Sequence, residues 1–426
     1  MSAHQENDDI IDEEYVKQED ILEIEEAEGL EPMEDDEGSD GIDQDDLEDP
    51  LEGFGVRPSA DDENIMELAD DSVQGFFDHR EPVYAIAMHP TNNNIVVSGG
   101  GDDKSYLWRA DNGEKLFELT GHTDSVIAVA FNVDGDYVAS AGMDGKVRVW
   151  KTHTGEFCAA AEGPDDIVWI DWHPKGNILL AGAQDSTIWM WAMPSGKFMN
   201  IFSGHAGPVN AGCFTPDGMC IIPKNKTSLL NGNTTTGKKI VSVSEDTSLI
   251  VWDPKSAAAE IRLSGEDSRF HSEPITAVAV NRDSTLAITG AMDGKARLVN
   301  ILNGHIVASL ENHSDSIETA DFCDVLALAA TGSVDGKISV WDVQTQRLRS
   351  TLTHEDAIIK VKFIRNSPML VSCSADRSVK LWDTRTGQCI KTWVGHRDTI
   401  LGFAVSNDGQ TVITGSDDGT CLVFKA

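Results

Sequence analysis

Long apolar runs and clustered cysteines are both missing from this 426-residue sequence. No apolar stretch reaches the roughly 18 residues that a membrane helix requires, and the N-terminus shows no basic, apolar signal sequence. The seven cysteines are scattered, without a CxxC pair or a ligand-like spacing to histidine. These absences argue against membrane insertion, a disulfide scaffold and a metal site. They predict a soluble cytoplasmic protein without metal or cofactor.

Basic residues are scarce at the start of the chain. Residues 1–71 contain 30 acidic side chains but only Lys17 and Arg57 as bases, so of the net charge of −39 only −11 remains for residues 72–426. A segment this acidic, without an apolar period, is predicted to be a disordered tail. Its charge disfavours direct contact with nucleic acid and attracts basic partners, although a purely solubilising role is equally open.

An aspartate recurs through the rest of the chain at intervals of 42, 41, 61, 47, 42, 41 and 42 residues. Six residues after it stands a tryptophan in six units, and four residues before it stands Ser or Thr in seven of eight. The intervening pattern is β-rich, and a unit of about 40 to 45 residues is the WD40 period. Residues 72–426 are therefore predicted to form an all-β, eight-bladed WD40 β-propeller. The aspartates are Asp102, Asp144, Asp185, Asp246, Asp293, Asp335, Asp376 and Asp418.

A histidine precedes this aspartate by 22 or 23 residues in six units and by 41 in a seventh. Repeated sets of His, Ser or Thr, Asp and Trp can satisfy one another's buried polar groups. We therefore interpret them as structural tetrads rather than catalytic triads, and we expect no enzymatic activity. The tetrads are His122, Ser140, Asp144 and Trp150; His205, Ser242, Asp246 and Trp252; His313, Thr331, Asp335 and Trp341; and His354, Ser372, Asp376 and Trp382.

Three departures from the repeat carry further predictions. The last unit ends after its third strand, so residues 72–78 are expected to supply the outer strand of the closing blade. The 61-residue interval contains 19 extra residues, for which 219–237 is the candidate. This insertion is predicted to be a surface loop, while a functional basic loop and an error in the gene model remain open. The third unit lacks both the histidine and the hydroxyl but is rich in tryptophan.

The WD40 resemblance also implies where a partner binds. In WD40 proteins, one face carries the residues beside the first apolar residue of each inner strand and the residue before the turn aspartate. Here that rule selects acidic and apolar side chains without Lys or Arg, a composition that suits a basic, amphipathic peptide. The predicted partner-binding residues are Tyr84, Ile127, Met143, Trp169, Gln184, Asn210, Glu245, Met292, Glu318, Ile359, Leu401 and Asp417.

Several stretches resemble one family within the WD40 class. They are GGGDDKSYLWR at 99–109, DDIVWIDWHP at 165–174, LLAGAQDSTIWMWAMPSG at 179–196, AMDGKARLVN at 291–300 and the segment 316–342. With the acidic leader, they are similar to the angio-associated migratory cell protein family, which includes a fungal ribosome-assembly WD-repeat chaperone. The resemblance implies a monomeric, non-catalytic chaperone that holds the basic N-terminal segment of a new large-subunit ribosomal protein for 60S assembly.

Other functions stay open on the sequence alone. The same family is linked to signalling and cell migration, so a WD40 scaffold for signalling proteins is the main alternative. An enzyme is disfavoured because no phosphate loop, metal cluster or isolated nucleophile stands outside the repeat. A nucleic-acid binder is disfavoured because the sequence has no basic stripe.

Overall fold

The computed structural model describes residues 69–163, 166–216 and 239–426. These residues contain thirty-two strands and no helix, arranged as eight four-stranded antiparallel sheets. The prediction of an all-β, eight-bladed propeller is confirmed. The predictions for the acidic tail up to residue 68 and for the 219–237 insertion fall outside the described residues.

Each sheet is one blade, and its strands are called A to D from the inside outward. Blades one to four comprise β2 Val83–Met88, β3 Ile95–Gly100, β4 Ser105–Arg109 and β5 Lys115–Leu119; β6 Val126–Phe131, β7 Tyr137–Gly142, β8 Lys146–Lys151 and β9 Phe157–Glu162; β10 Ile167–Trp172, β11 Ile178–Ala183, β12 Thr187–Ala192 and β13 Lys197–Ser203; and β14 Ala211–Phe214, β15 Ile240–Val243, β16 Leu249–Trp252 and β17 Ala259–Leu263.

The second half of the chain repeats the arrangement, and the eighth blade takes its D strand, β1 Gln74–Phe76, from the start of the domain. Blades five to eight comprise β18 Ile275–Val280, β19 Leu286–Ala291, β20 Lys295–Asn300 and β21 His305–Glu311; β22 Ile317–Phe322, β23 Leu328–Ser333, β24 Lys337–Asp342 and β25 Arg347–Thr353; β26 Ile358–Phe363, β27 Met369–Ser374, β28 Val379–Asp383 and β29 Gln388–Trp393; and β30 Ile400–Val405, β31 Thr411–Ser416 and β32 Cys421–Lys425 with β1.

The inner strands form a closed ring around a central channel. Each A strand contacts the A strand of the next blade, and β30 of the eighth blade contacts β2 of the first. The hydrophobic core lies between blades, where Val97 and Leu107 of blade one pack with Val126 and Val129 of blade two. Because B strands are covered on both faces, they are nearly continuous runs of buried residues rather than alternating ones.

The B–C turns follow from the repeated aspartate. Asp144 accepts a hydrogen bond from the backbone N–H of Lys146 at 3.1 Å, and Gly145 between them has a φ of 68°. Glycine reaches this left-handed conformation without a steric penalty. In an antiparallel blade, the B–C turn lies at the end where strand A begins. We call this side of the propeller the turn face, and the opposite side, with the A–B loops and C–D turns, the loop face.

Candidate partner-binding face

The tetrads form hydrogen-bond chains that link strands B and C of a blade, and the turn between them, to the loop before strand A. In blade seven, the indole N–H of Trp382 donates to Ser372 Oγ at 2.8 Å, and Ser372 Oγ lies 2.8 Å from His354 Nε2. His354 Nδ1 lies 2.8 Å from Asp376 Oδ2. A neutral histidine protonated on Nδ1 lets every group donate in one direction, from Trp to Ser to His to Asp. This chain fixes the turn aspartate and thereby the shape of the turn face.

Of the other three predicted tetrads, those of blades four and six repeat the Trp-to-hydroxyl-to-His chain, and that of blade two lacks one hydrogen bond. The blade-four chain includes His205 Nε2 at 2.8 Å from Ser242 Oγ and the blade-six chain has His313 Nε2 at 2.9 Å from Thr331 Oγ1, each with its tryptophan donating to the hydroxyl. In blade two, His122 bonds to Ser140 and Asp144 at 2.7 and 3.0 Å. No hydrogen bond from Trp150 to Ser140 is found there, so this tryptophan contributes packing rather than a donor.

Burial affects the protonation of the histidine in two of these tetrads. It lowers the pKa of His122 and His313 and so favours the neutral imidazole, despite the aspartate beside each ring. Burial alone would raise the pKa of Asp144. The hydrogen bonds from His122 and from two backbone N–H groups outweigh that effect and hold the pKa below its usual range. In blades two and six the tetrad therefore joins a neutral histidine to a charged carboxylate, and both side chains are engaged in the fold.

The predicted partner-binding residues stand either just before a turn aspartate or at the start of a strand A. A backbone hydrogen bond joins these two positions within each blade. In every blade, the residue before the turn aspartate donates its N–H to the carbonyl of the residue just before the first buried residue at the start of strand A. In blade four that buried residue is Val209, two residues ahead of β14. Examples are Met143 to Ser125 at 3.0 Å and Asp417 to Thr399 at 2.9 Å. The predicted residues at the turns and at the strand starts are therefore neighbours on the turn face.

None of the twelve predicted residues is buried. Met292 is 54% exposed, Met143 43% and Tyr84 39%, which places three large apolar or aromatic side chains in solvent on this face. Asn210 also bonds to the neighbouring blade, through the carbonyl of Ile275 at 3.0 Å. The exposed members are Tyr84, Met143, Gln184, Glu245, Met292, Glu318 and Asp417, and the half-buried members are Ile127, Trp169, Asn210, Ile359 and Leu401.

Trp169 does not occupy the same strand position as Tyr84 and Ile127, the residues predicted to lie at the equivalent place in other blades. Strand β10 has its bulge between Ile167 and Trp169, so Val168 is the counterpart of Tyr84 and Ile127. The indole of Trp169 instead lies over Gly182 and Gly212, whose missing side chains leave room for it, and donates to the carbonyl of Val209 at 2.9 Å. The grouping was one residue off because Ile167, rather than Val168, is the first buried residue of the strand.

The structure adds a ring of acids that the prediction missed. Two residues before the first buried residue of strand A, six of the described blades carry an exposed Asp or Glu. In four of them one carboxylate oxygen accepts the next backbone N–H at 2.7 Å, which holds the group at the loop tip. The repeat spacing could have identified this ring, since it lies two residues after the histidine in most units. The residues are Glu81, Asp124, Glu273, Asp315, Asp356 and Asp398.

The turn face carries charged side chains of both signs. Arg80 and Arg397 are exposed beside Glu81 and Asp398 near blades eight and one. Blades four to six present Glu245, Glu273, Asp315 and Glu318 as exposed acids, with Met292 among them, while Arg262 and Arg269 of these blades pair with Asp246 and Asp267. This segment, which we call the acidic arc, combines several negative charges with exposed apolar surface and therefore suits a basic, partly apolar partner.

The described residues contain no group of three or more His, Cys, Asp or Glu side chains placed to hold a metal ion. No helix within the described ranges has the length and apolarity needed to cross a membrane.

Eight segments of the chain match the WD40 family model, which is described as WD domain, G-beta repeat. They are 71–109, 113–151, 155–192, 196–253, 268–300, 304–342, 346–383 and 387–425. The chain belongs to the WD40 repeat family. Each matched segment ends at or near strand C of one blade, as the repeat spacing requires.

Relatives of this WD40 protein include the angio-associated migratory cell protein of Homo sapiens, which is 34% identical over 388 residues and covers 88% of this chain and 84% of the relative. The ribosome assembly protein SQT1 of Saccharomyces cerevisiae is 28% identical over 407 residues, covering 86% of this chain and 89% of that protein. A crystal structure of Chaetomium thermophilum Sqt1 bound to the N-terminus of ribosomal protein L10 matches with 30% identity and a TM-score of 0.74. It covers 84% of this chain and 100% of that one. The family predicted from the sequence is confirmed.

Proposed function

We propose that this protein is a non-catalytic chaperone that holds the basic N-terminal segment of a newly made large-subunit ribosomal protein on its turn face. The observation that carries the proposal is the acidic arc, in which exposed carboxylates surround an exposed methionine. Such a surface attracts a basic segment at long range and retains it by burying apolar side chains. The proposed site of action is the cytoplasm, where the segment would be released to an assembling 60S particle.

The related Sqt1 structure supports this proposal because that protein was crystallised with the N-terminus of ribosomal protein L10. Release follows from the same electrostatics. Ribosomal RNA offers a far higher density of negative charge than a protein face, so it competes for the same lysines and arginines. The protein would therefore hold its client only until the RNA site becomes available.

The test is the affinity of the full chain for a peptide with the sequence of the L10 N-terminus, measured by calorimetry at several salt concentrations. The triple variant Glu245→Lys, Glu318→Lys and Asp417→Lys should bind at least about tenfold more weakly at physiological salt, with a smaller salt dependence. An unchanged affinity would contradict the assignment of the binding face.

A matched control changes the same number of charges on the loop face. Asp111, Asp134 and Asp283 are exposed there in C–D and A–B turns, and their replacement by lysine gives the same net charge as the first variant. We expect this control to retain most of the affinity. If both variants lost affinity equally, binding would depend on net charge rather than on the turn face.

A further inference from the structure

The central channel opens on the loop face through a cavity of about 530 Å³. Its walls come from inner strands and A–B loops around much of the ring and include the apolar Trp172, Val280, Phe322 and Phe363. The charged residues in the lining are Asp171, Asp321, Asp324, Arg282, Lys362 and Arg365. A second cavity of about 350 Å³ is lined by some of the same residues, including Asp171. The channel is thus accessible from the side opposite the acidic arc.

Two of the three aspartates that line this cavity have different surroundings. Asp321 accepts the backbone N–H of Phe363 at 2.7 Å and pairs with the Lys362 ammonium group at 3.3 Å. Asp171 accepts the backbone N–H of Phe214 at 2.8 Å, but no described lysine or arginine lies within ion-pair distance of it. Lys362 is the cation whose charge reaches Asp171, and it is already engaged with Asp321. Asp171 is therefore a carboxylate that lines a cavity without a cation of its own.

The protonation of Asp171 agrees with this geometry. Burial raises the pKa of its carboxyl to about 7, against the lowering effects of the Phe214 N–H and the Lys362 charge. A cation placed beside the carboxylate would restore the charged form by direct attraction in a site of low dielectric constant. A partner's cation would therefore stabilise the charged form of this buried carboxyl more than that of an exposed aspartate.

We propose that this cavity binds a lysine side chain of a second partner protein, with Asp171 receiving the ammonium group. The four-carbon stem of lysine would lie against Trp172, Val280 and Phe322, while its compact charged end reaches the carboxylate. The cavity is larger than one side chain, so the adjoining peptide backbone also enters the mouth. Because this site is on the loop face, the second partner could bind while the turn face is occupied.

The test uses two probes that differ only in the terminal ammonium group, Nα-acetyl-lysine methylamide and its norleucine counterpart. Trp172 reports on the site because its ring lines the cavity and its indole N–H donates to the carbonyl of Ala130 at 3.1 Å. In the full chain labelled with ¹⁵N-tryptophan, the lysine probe should shift this indole signal saturably. The norleucine probe should bind at least about tenfold more weakly, since tenfold corresponds to about 1.4 kcal/mol. Equal affinities of the two probes would overturn the proposal.

Asp171→Asn removes the charge but keeps an oxygen to accept the Phe214 N–H, so the fold should persist. This variant should lose the preference for lysine over norleucine, whereas Asp283→Asn, an exposed aspartate of the same face, should keep it within about twofold. A preference that survived in Asp171→Asn would also overturn the proposal. The triple turn-face variant Glu245→Lys, Glu318→Lys and Asp417→Lys should bind the lysine probe normally, which separates this test from that of the proposed function.

Two rival occupants are resolved by the same assay. If spermidine displaced the lysine probe at far lower concentrations than the probe itself requires, the cavity would be a polyamine site instead. If replacing Lys224 and Lys226 by alanine raised the probe affinity several-fold, the chain's own lysines would be the occupants. Either result would replace a partner lysine as the ligand.

Discussion

Gln74 pairs with Val423 across the closing blade, although the two residues lie at opposite ends of the propeller sequence. The same short strand carries Phe76, which stacks on Trp108 with ring centroids 5.1 Å apart and an interplanar angle of 9°. The first strand thus joins the eighth blade and packs against the first. This closure removes an open sheet edge and makes the stability of the ring depend on three residues of β1.

Phe76→Ala should destabilise the propeller by about 3 to 5 kcal/mol, because it deletes a side chain that is only 2% exposed. Phe77→Ala is the natural control, since its neighbouring ring is 64% exposed and its loss should cost little. Urea unfolding followed by tryptophan fluorescence measures both. Similar midpoints for the two variants would show that closure by β1 contributes little to stability.

Ser372→Ala should cost about 2 to 3 kcal/mol, although it removes a single oxygen atom. Ser372 Oγ accepts from the Trp382 indole and bonds to His354 Nε2, so its loss leaves two buried groups without this partner. Ser195→Ala, at an exposed turn, should change stability by less than about 0.5 kcal/mol. Thermal and urea unfolding provide the comparison, and a neutral Ser372→Ala would show that the tetrad is not an energetic unit.

The buried tetrad histidines should make stability fall as the pH decreases from 7.5 to 5.5, whereas Asp171, whose pKa burial raises to about 7, contributes in the opposite direction. Burial lowers the pKa of His122 and His313 in the fold, so below about 6.5 the unfolded chain binds protons that the folded chain does not. Their stabilising contribution is complete above that pH and declines as the pH falls toward the folded pKa. The turn aspartates, with lowered pKa values, lose their contribution only in stronger acid.

Melting temperatures across this pH range test the assignment. His313→Asn should lower the melting temperature at pH 7.5 and also reduce its dependence on pH. His305→Asn, at an exposed position, should leave both nearly unchanged. If the pH dependence were the same in His313→Asn as in the unmodified chain, the histidines of the tetrads would not be its source.

Met292→Ala should weaken binding of the basic peptide by about fivefold or more, while the stability of the fold changes by less than about 0.5 kcal/mol. Met292 is 54% exposed in the B–C turn of blade five, within the acidic arc. Leu302→Ala serves as the control, because Leu302 is 57% exposed in the C–D turn of the same blade on the loop face. Equal losses of affinity in the two variants would argue against an apolar contact on the turn face.

The blade count and the tetrads could be predicted from the sequence because every blade has to solve the same packing problem. The Asp of each B–C turn, the hydroxyl of strand B and the Trp of strand C stand at fixed offsets, since the strands that carry them pair directly. His205 was assigned correctly to Asp246 across 41 residues because the insertion leaves the pairing of β14 and β15 intact. The missing donor at Trp150 has no sequence signal, since its set of residue types is complete.

The repeat in the sequence by itself determined the number of blades, their order and the elements that reach the turn face, because strand pairing is local and periodic. Only the tertiary structure decided what the channel and the faces offer to a partner. The bulge that shifts Trp169 onto two glycines depends on which residue the neighbouring blade buries. Among the described residues, Asp171 has no ion-pair partner because Lys362, which lies four blades away around the ring, pairs with Asp321 instead. The position of Trp169 and the surroundings of Asp171 both arise from the closing of the ring. Ring closure brings together residues whose separation in the sequence does not follow the repeat.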